Sequence, residues 1–168
     1  MPRLTDLAVL LPLVLAALAG CDRTPPAPET PGMSSAAFFD AGRFADVWHV
    51  AATIGDPACG PHAETWAVTG AGRYRVTGTV CGPSGARTFA TEAAVTGPGR
   101  IERRMPEGTE ALWVLWTDAD YRIAVIGTPS RHFARILSRT PEVRPDLMQA
   151  ARDVLRFNGY DPAGLQPH

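Results

Sequence analysis

The sequence predicts an all-β domain: an eight-stranded antiparallel up-and-down β-barrel followed by one α-helix. Three observations lead there. The stretch Ala111–Pro141 holds three apolar runs, Leu112–Trp116, Tyr121–Ile126 and Phe133–Leu137, separated by Asp118-Ala119-Asp120 and Gly127-Thr128-Pro129. Short runs rich in Val, Ile, Trp and Tyr and closed by Asp, Gly and Pro read as strands, and loops this short force antiparallel neighbours. A helix through the same stretch is broken at Gly127 and Pro129. Second, Gly and Pro each occur 16 times in 168 residues, which favours many short strands with turns over a helical bundle. Third, similar segments recur upstream, giving eight strands at 47–54, 63–68, 73–80, 87–95, 100–105, 111–117, 121–126 and 132–138. Eight antiparallel strands close into a barrel just wide enough for one small ligand. The net charge of −1 leaves no electrostatic footprint for nucleic acid.

The turn Thr117-Asp118-Ala119-Asp120-Tyr121 and the end Ile136-Leu137-Ser138-Arg139-Thr140-Pro141 resemble the second and third conserved regions of lipocalins. The resemblance is to the bacterial lipocalin lipoproteins related to apolipoprotein D. Those proteins carry a strand, such a turn, a strand, a Gly-x-Pro turn and a Leu-Ser-Arg-Thr-Pro end in this order. The resemblance implies a lipocalin barrel with the helix packed outside and a small hydrophobic ligand within.

Taken in order, residues 1–20 read as a lipoprotein signal peptide. Arg3 precedes the apolar run Leu7–Leu18, which is too short to span a bilayer comfortably, and Leu18-Ala19-Gly20-Cys21 resembles a lipobox. Cys21 is the expected acylation site, and several acyl chains give a stable anchor. Asp22 resembles the inner-membrane retention signal of enteric lipoproteins, whereas the family resemblance implies the outer membrane; both locations stay open. Residues 21–36 form a tether in which Pro25, Pro26, Pro28 and Pro31 favour an extended spacer. Residues 37–168 form the barrel domain.

Arg43-Phe44-Ala45-Asp46-Val47-Trp48-His49 corresponds to the family's first conserved region, with Asp46 where the family has glycine. The resemblance implies that Trp48 lies across the closed end with Arg139 stacked on it, a structural pair. With Cys21 assigned to lipid, Cys59 and Cys81 read as one disulfide of an exported domain. Such a bridge closes a loop of roughly 22 residues and adds about 3 kcal/mol in the chain-entropy picture. His49, His62, His132 and His168 show no ligand spacing, so no metal is expected. Pro145–Asn158 is the helix, with proline at its start, Gly159 after its end and an apolar face of Leu147, Ala151, Val154 and Leu155.

Period two along each strand, aligned to the family, directs Trp66, Tyr74, Val76, Arg103, Leu112, Val114, Trp116, Phe133 and Arg135 to the interior as ligand-binding residues, with Ile101, Met105 and Leu137 beside them. The lining is apolar with aromatics, which suits a fatty acid or lysophospholipid. Arg103 and Arg135 are the exceptions. Each reaches the open mouth, pairs with an acid such as Glu92 or Glu64, meets an anionic ligand, or is turned outward by a bulge. Arg135 is expected in the middle or upper barrel, where a lipid carboxylate or phosphate meets its planar fork, and Arg135→Ala is expected to stay folded because removing the charge relieves a burial cost. No catalytic set and no cofactor motif stands out, so the expected function is a membrane-anchored binder of small hydrophobic ligands in the cell envelope. The alternatives are an interaction lipoprotein with a filled barrel and an enzyme on the same fold.

Overall fold

The computed structural model describes residues 32–57, 59–82, 84–105 and 108–168. The expected signal peptide, Cys21 and most of the tether lie outside the described residues. The strands are β1 (Asp46–Ile54), β2 (Ala63–Gly70), β3 (Arg73–Gly82), β4 (Gly85–Gly97), β5 (Arg100–Met105), β6 (Gly108–Thr117), β7 (Ile123–Gly127), β8 (Ala134–Ser138) and β9 (Gln166–Pro167). A one-turn helix α1 (Ala41–Phe44) precedes β1, and α2 (Pro145–Phe157) follows β8. From β2 to β8 each strand pairs antiparallel with the next, and β1 pairs with both β8 and β2, so the sheet closes into a barrel. β9 is the addition that the sequence did not announce. It lies on β1 at Ala52 and Thr53, beyond His49 where the pairing with β2 stops.

Two apolar layers form because the strands are buried on two sides. The inner layer includes Trp48, Val50, Trp66, Tyr74, Val76, Ile101, Leu112, Val114, Phe133 and Leu137. The outer layer packs Leu115, Ile123, Val125, Ala134 and Ile136 beneath Ala151 and Leu155 of α2. All five residues of β7 and of β8 are therefore buried. Tyr160 locks the outer layer: its hydroxyl donates to the carbonyls of Thr128 (2.7 Å) and Phe133 (3.1 Å). A Cβ at Gly127 would stand 2.2 Å from that hydroxyl, so only glycine fits there.

One expected inward residue is corrected. The pairing of β6 with β7 shifts between Val114 and Trp116, leaving Leu115 as an extra residue. Leu112 and Val114 face the interior, but Trp116 lies opposite Val125 and belongs to the outer layer. A bulge reverses the facing of everything after it, and strict alternation does not count one. Glu92 is also not an interior acid; it pairs with Arg75 on the surface.

Candidate functional site

The closed end is a plug built from the segment before β1. Asp40 caps α1 by accepting from the backbone N–H groups of Gly42 (2.8 Å) and Arg43 (3.0 Å). The capped turn drives Phe44 into the barrel, 5.4 Å from Trp48, 5.1 Å from Trp66 and 6.4 Å from Tyr74, ring centre to ring centre. Tyr74 donates to Ala41 O at 2.6 Å, and burial pushes its phenol well above the ordinary tyrosine range. The chain then enters β1 through Asp46, whose φ of 86° is the left-handed conformation that glycine adopts freely. The Arg139 guanidinium lies 3.6 Å from the Trp48 ring centre and donates to Val47 O, Arg43 O and Ala45 O, each at 2.8 Å. A planar fork suits this double duty, stacking by its face and donating from its edge. Trp66 and Tyr74 thus point inward, but into packed aromatic neighbours.

Above the plug lies a polar layer. Arg135 faces inward with only 2% of its side chain exposed, and it donates to Glu64 at 3.0 Å, itself 1% exposed. A second N–H group donates to Asp56 at 2.9 Å. Glu64 also accepts from the Trp66 indole N–H at 3.0 Å. Gly78 makes this layer possible, because a Cβ there would stand 2.9 Å from both the Glu64 Cβ and the Phe89 ring. Phe133 sits between two guanidiniums, with Arg135 5.1 Å and Arg103 5.5 Å from its ring centre. Arg103 in turn pairs with Glu110 at 2.5 Å. Of the open alternatives, pairing with Glu64 holds for Arg135. The expectation that removing it relieves an uncompensated buried charge is corrected, since Arg135 is paired and its loss would strand a buried carboxylate.

The mouth opens where β4 and β5 part. Their backbone pairing begins at Gly97↔Arg100 and ends at Ala93↔Arg103; beyond it the Thr91 hydroxyl still donates to Arg104 O, and among the described residues the rest of β4 pairs with β3. The gap holds a cavity of about 350 Å³. Val80, Phe89 and Met105 give it an apolar side, and Arg87, Arg103 and Arg104 give it a cationic one. This volume falls in the range of small-molecule sites, at roughly 300–1,000 Å³. The arrangement can hold an amphiphile with an anionic head.

Cys59 and Cys81 are disulfide-bonded, with 5.6 Å between their Cα atoms. The bridge ties the loop after β1 to the end of β3. His62 and His168 lie against it, their rings 4.6 Å apart and perpendicular. One potential ligand atom from each of these four residues falls within 4.8 Å of the others. Burial, then the neighbouring His62 and Arg135, hold the His168 imidazole below the usual histidine range.

A family model described as a lipocalin-like domain matches residues 39–168. The chain belongs to this lipocalin family. Members characteristically bind small hydrophobic ligands. Within the curated proteins, temperature-induced lipocalin-1 of Arabidopsis thaliana is 39% identical over 57 residues, covering 34% of this chain and 31% of the plant protein. Among solved structures, lipocalin 12 from rat epididymis superposes with a TM-score of 0.64 at 15% identity, covering 84% of this chain and 92% of that one. The siderocalin Ex-FABP, described as having dual ligand specificities, gives a TM-score of 0.58 at 21% identity, covering 73% and 91%. The cockroach allergen Per a 4 gives 0.64 at 14% identity, covering 80% and 90%.

In this lipocalin the sequence-predicted residues fall into three groups. Trp66, Tyr74, Val76, Leu112 and Val114 fill the barrel; Arg103, Phe133 and Arg135 form the polar layer; Trp116 lies outside. Residues missed were Val80, Arg87, Phe89 and Arg104 at the mouth and Asp56 on the loop after β1. The inward parity of β4 could have found Arg87 and Phe89, which share a face with Thr91 and Ala93 opposite Val80, Gly78, Val76 and Tyr74. His168 gave no signal, because its place depends on β9.

Proposed function

We propose that this chain is a membrane-anchored lipocalin of the bacterial envelope that binds an anionic amphiphile, a fatty acid or lysophospholipid, at the mouth of its barrel. The observation that carries this reading is the two-sided cavity between β4 and β5. An acyl chain lies against Val80, Phe89 and Met105, displacing water from apolar surface at about 25 cal/mol per Å². The carboxylate or phosphate meets Arg87 and Arg104, whose forked donors suit planar and tetrahedral anions. Acylation of Cys21 holds the domain on a membrane, and the proline-rich tether lets the mouth reach lipid leaving that membrane. The sequence resemblance to bacterial lipocalin lipoproteins supports the envelope setting; inner- or outer-membrane destination follows from how Asp22 is read. Storage, transport or upkeep of membrane lipid fits such a protein, acting by binding rather than by catalysis.

The test is displacement of a fluorescent fatty acid from the purified domain. Arg87→Glu/Arg104→Glu should weaken palmitate roughly tenfold or more while changing the affinity for the matching alcohol little. Absence of uptake at micromolar concentrations would sink the binding reading. Equal losses for acid and alcohol would sink the head-group assignment alone. A second reading has its own observation: the barrel below the mouth is filled by the aromatic plug and the Glu64–Arg135 pair. An interaction lipoprotein without ligand follows if no lipid is taken up.

A further inference from the structure

We propose that Cys59, His62, Cys81 and His168 form a four-ligand zinc site when the Cys59–Cys81 disulfide is reduced, so that the bridge and the bound ion are alternative states of one locus. The inference is independent of the lipid-binding reading. A structural disulfide does not need the two histidines that lie against this one. His62 uses Nδ1 toward Gly60 O at 3.0 Å, which leaves Nε2 as the lone-pair nitrogen. His168 uses Nε2 toward Thr53 Oγ1 at 2.7 Å, which leaves Nδ1. Both remaining nitrogens are buried and have no hydrogen bond of ordinary geometry among the described residues, with the Gly60 carbonyl near the His168 ring. A ring fixed through one nitrogen with the other left bare is how metal-binding histidines are oriented.

The geometry is close to what zinc requires. Tetrahedral zinc takes sulfur at about 2.3 Å and nitrogen at about 2.0–2.1 Å, which sets its ligand atoms roughly 3.3–3.8 Å apart. Here the four candidate atoms lie within 4.8 Å of one another, so the widest pairs close by about 1 Å while the two sulfurs, once their bond is broken, separate from about 2.0 Å to about 3.8 Å. The ligands are held from separate directions. Cys81 is the penultimate residue of β3, opposite Ala86, and His168 is tied by its backbone N–H to Ala51 O at 3.1 Å. Cys59 and His62 come from one loop with two residues between them. A set of two sulfurs and two imidazoles selects zinc over hard cations.

Conversion of the bridge to the zinc site takes two steps. A dithiol reductant gives two electrons and two protons: the Cys59–Cys81 bond breaks, two thiols form, and the reductant closes its own disulfide. Zinc then displaces both thiol protons to water and forms two Zn–S bonds, while two neutral imidazoles donate lone pairs. Two thiolates cancel the ion's charge, so the filled site is neutral.

The experiment uses the full chain, reduced with a phosphine without oxygen and titrated with Zn²⁺ against a chromophoric chelator. The expected result is one equivalent bound at nanomolar affinity or tighter, on the order of other structural zinc sites. Co²⁺ in its place should give the intense visible bands of a tetrahedral thiolate complex. His62→Ala and His168→Ala should each weaken zinc by more than about a hundredfold, since even outer partners of metal ligands are worth roughly 10–100-fold. Melting of the oxidised variants confirms that both substitutions fold. If reduction unfolds the chain, zinc should restore its β-sheet circular dichroism. The proposal is overturned if the reduced chain takes up no stoichiometric zinc, if His62→Ala/His168→Ala binds as tightly as the parent, if the oxidised chain does so, or if zinc fails to refold an unfolded reduced chain.

Discussion

Replacing Arg135 by methionine tests the polar layer most directly. Methionine keeps much of the aliphatic volume and removes the charge. Among the described residues, Glu64, 1% exposed, would then keep only the Trp66 indole donor at 3.0 Å. Asp56 would be less affected, since 27% of its side chain is open to water. Removing one partner of a buried pair costs about 3–5 kcal/mol, because the other charge stays desolvated without compensation. For a domain of this size, that lowers Tm by roughly 10–20 °C. Urea melts at pH 7 of the parent, Arg135→Met, Glu64→Gln and the double variant would measure it. The double variant should recover most of the loss, since a neutral amide in place of Glu64 needs no counter-charge. A single-variant cost under about 1 kcal/mol, or strict additivity of the two substitutions, would refute the claim that Arg135 and Glu64 stabilise each other in a dry interior.

Three further outcomes follow from the same geometry. Arg139→Lys should lose about 2 kcal/mol by thermal melting, because one ammonium cannot both cover the Trp48 ring and reach the carbonyls of Arg43, Ala45 and Val47. Asp46→Gly should stabilise the domain by up to about 1 kcal/mol, as glycine accepts φ 86° without a Cβ penalty; a loss in urea melts would show that the aspartate side chain outweighs that relief. Asp118 is partly desolvated, which alone would raise its carboxyl, yet hydrogen bonds from the Arg122 side chain and from the N–H groups of Arg122 and Ile123 hold it below the usual aspartate range. Its stabilisation is therefore complete above the unfolded value near pH ~3.9 and is lost as pH falls through the lower folded value. Stability of Asp118→Asn should accordingly fall less than that of the parent over that acid range, read as Tm against pH.

The barrel and most of its strands are legible in the chain's local pattern. Alternation, turn residues and the spacing from Thr117 to Pro141 are local signals, and they registered β2 through β8 with boundaries shifted by a few residues. The Trp48–Arg139 closure and the Cys59–Cys81 pairing are legible in the sequence too, the first through family resemblance and the second through the cysteine count. Tertiary structure decided the rest. Leu115 became a bulge because β6 must fit both an inner layer and α2, so Trp116 turned outward. Whether Arg135 was free or paired rested on Glu64, which lies 71 positions away in sequence and meets it only across the closed barrel. The mouth exists because β4 outruns its partner β5, a length mismatch that neither strand encodes alone. His168 reaches Cys59, His62 and Cys81 only because β9 takes the edge of β1 that β2 leaves open. Local periodicity fixes which face a residue presents; what that face meets is set by closure, which brings distant segments into contact.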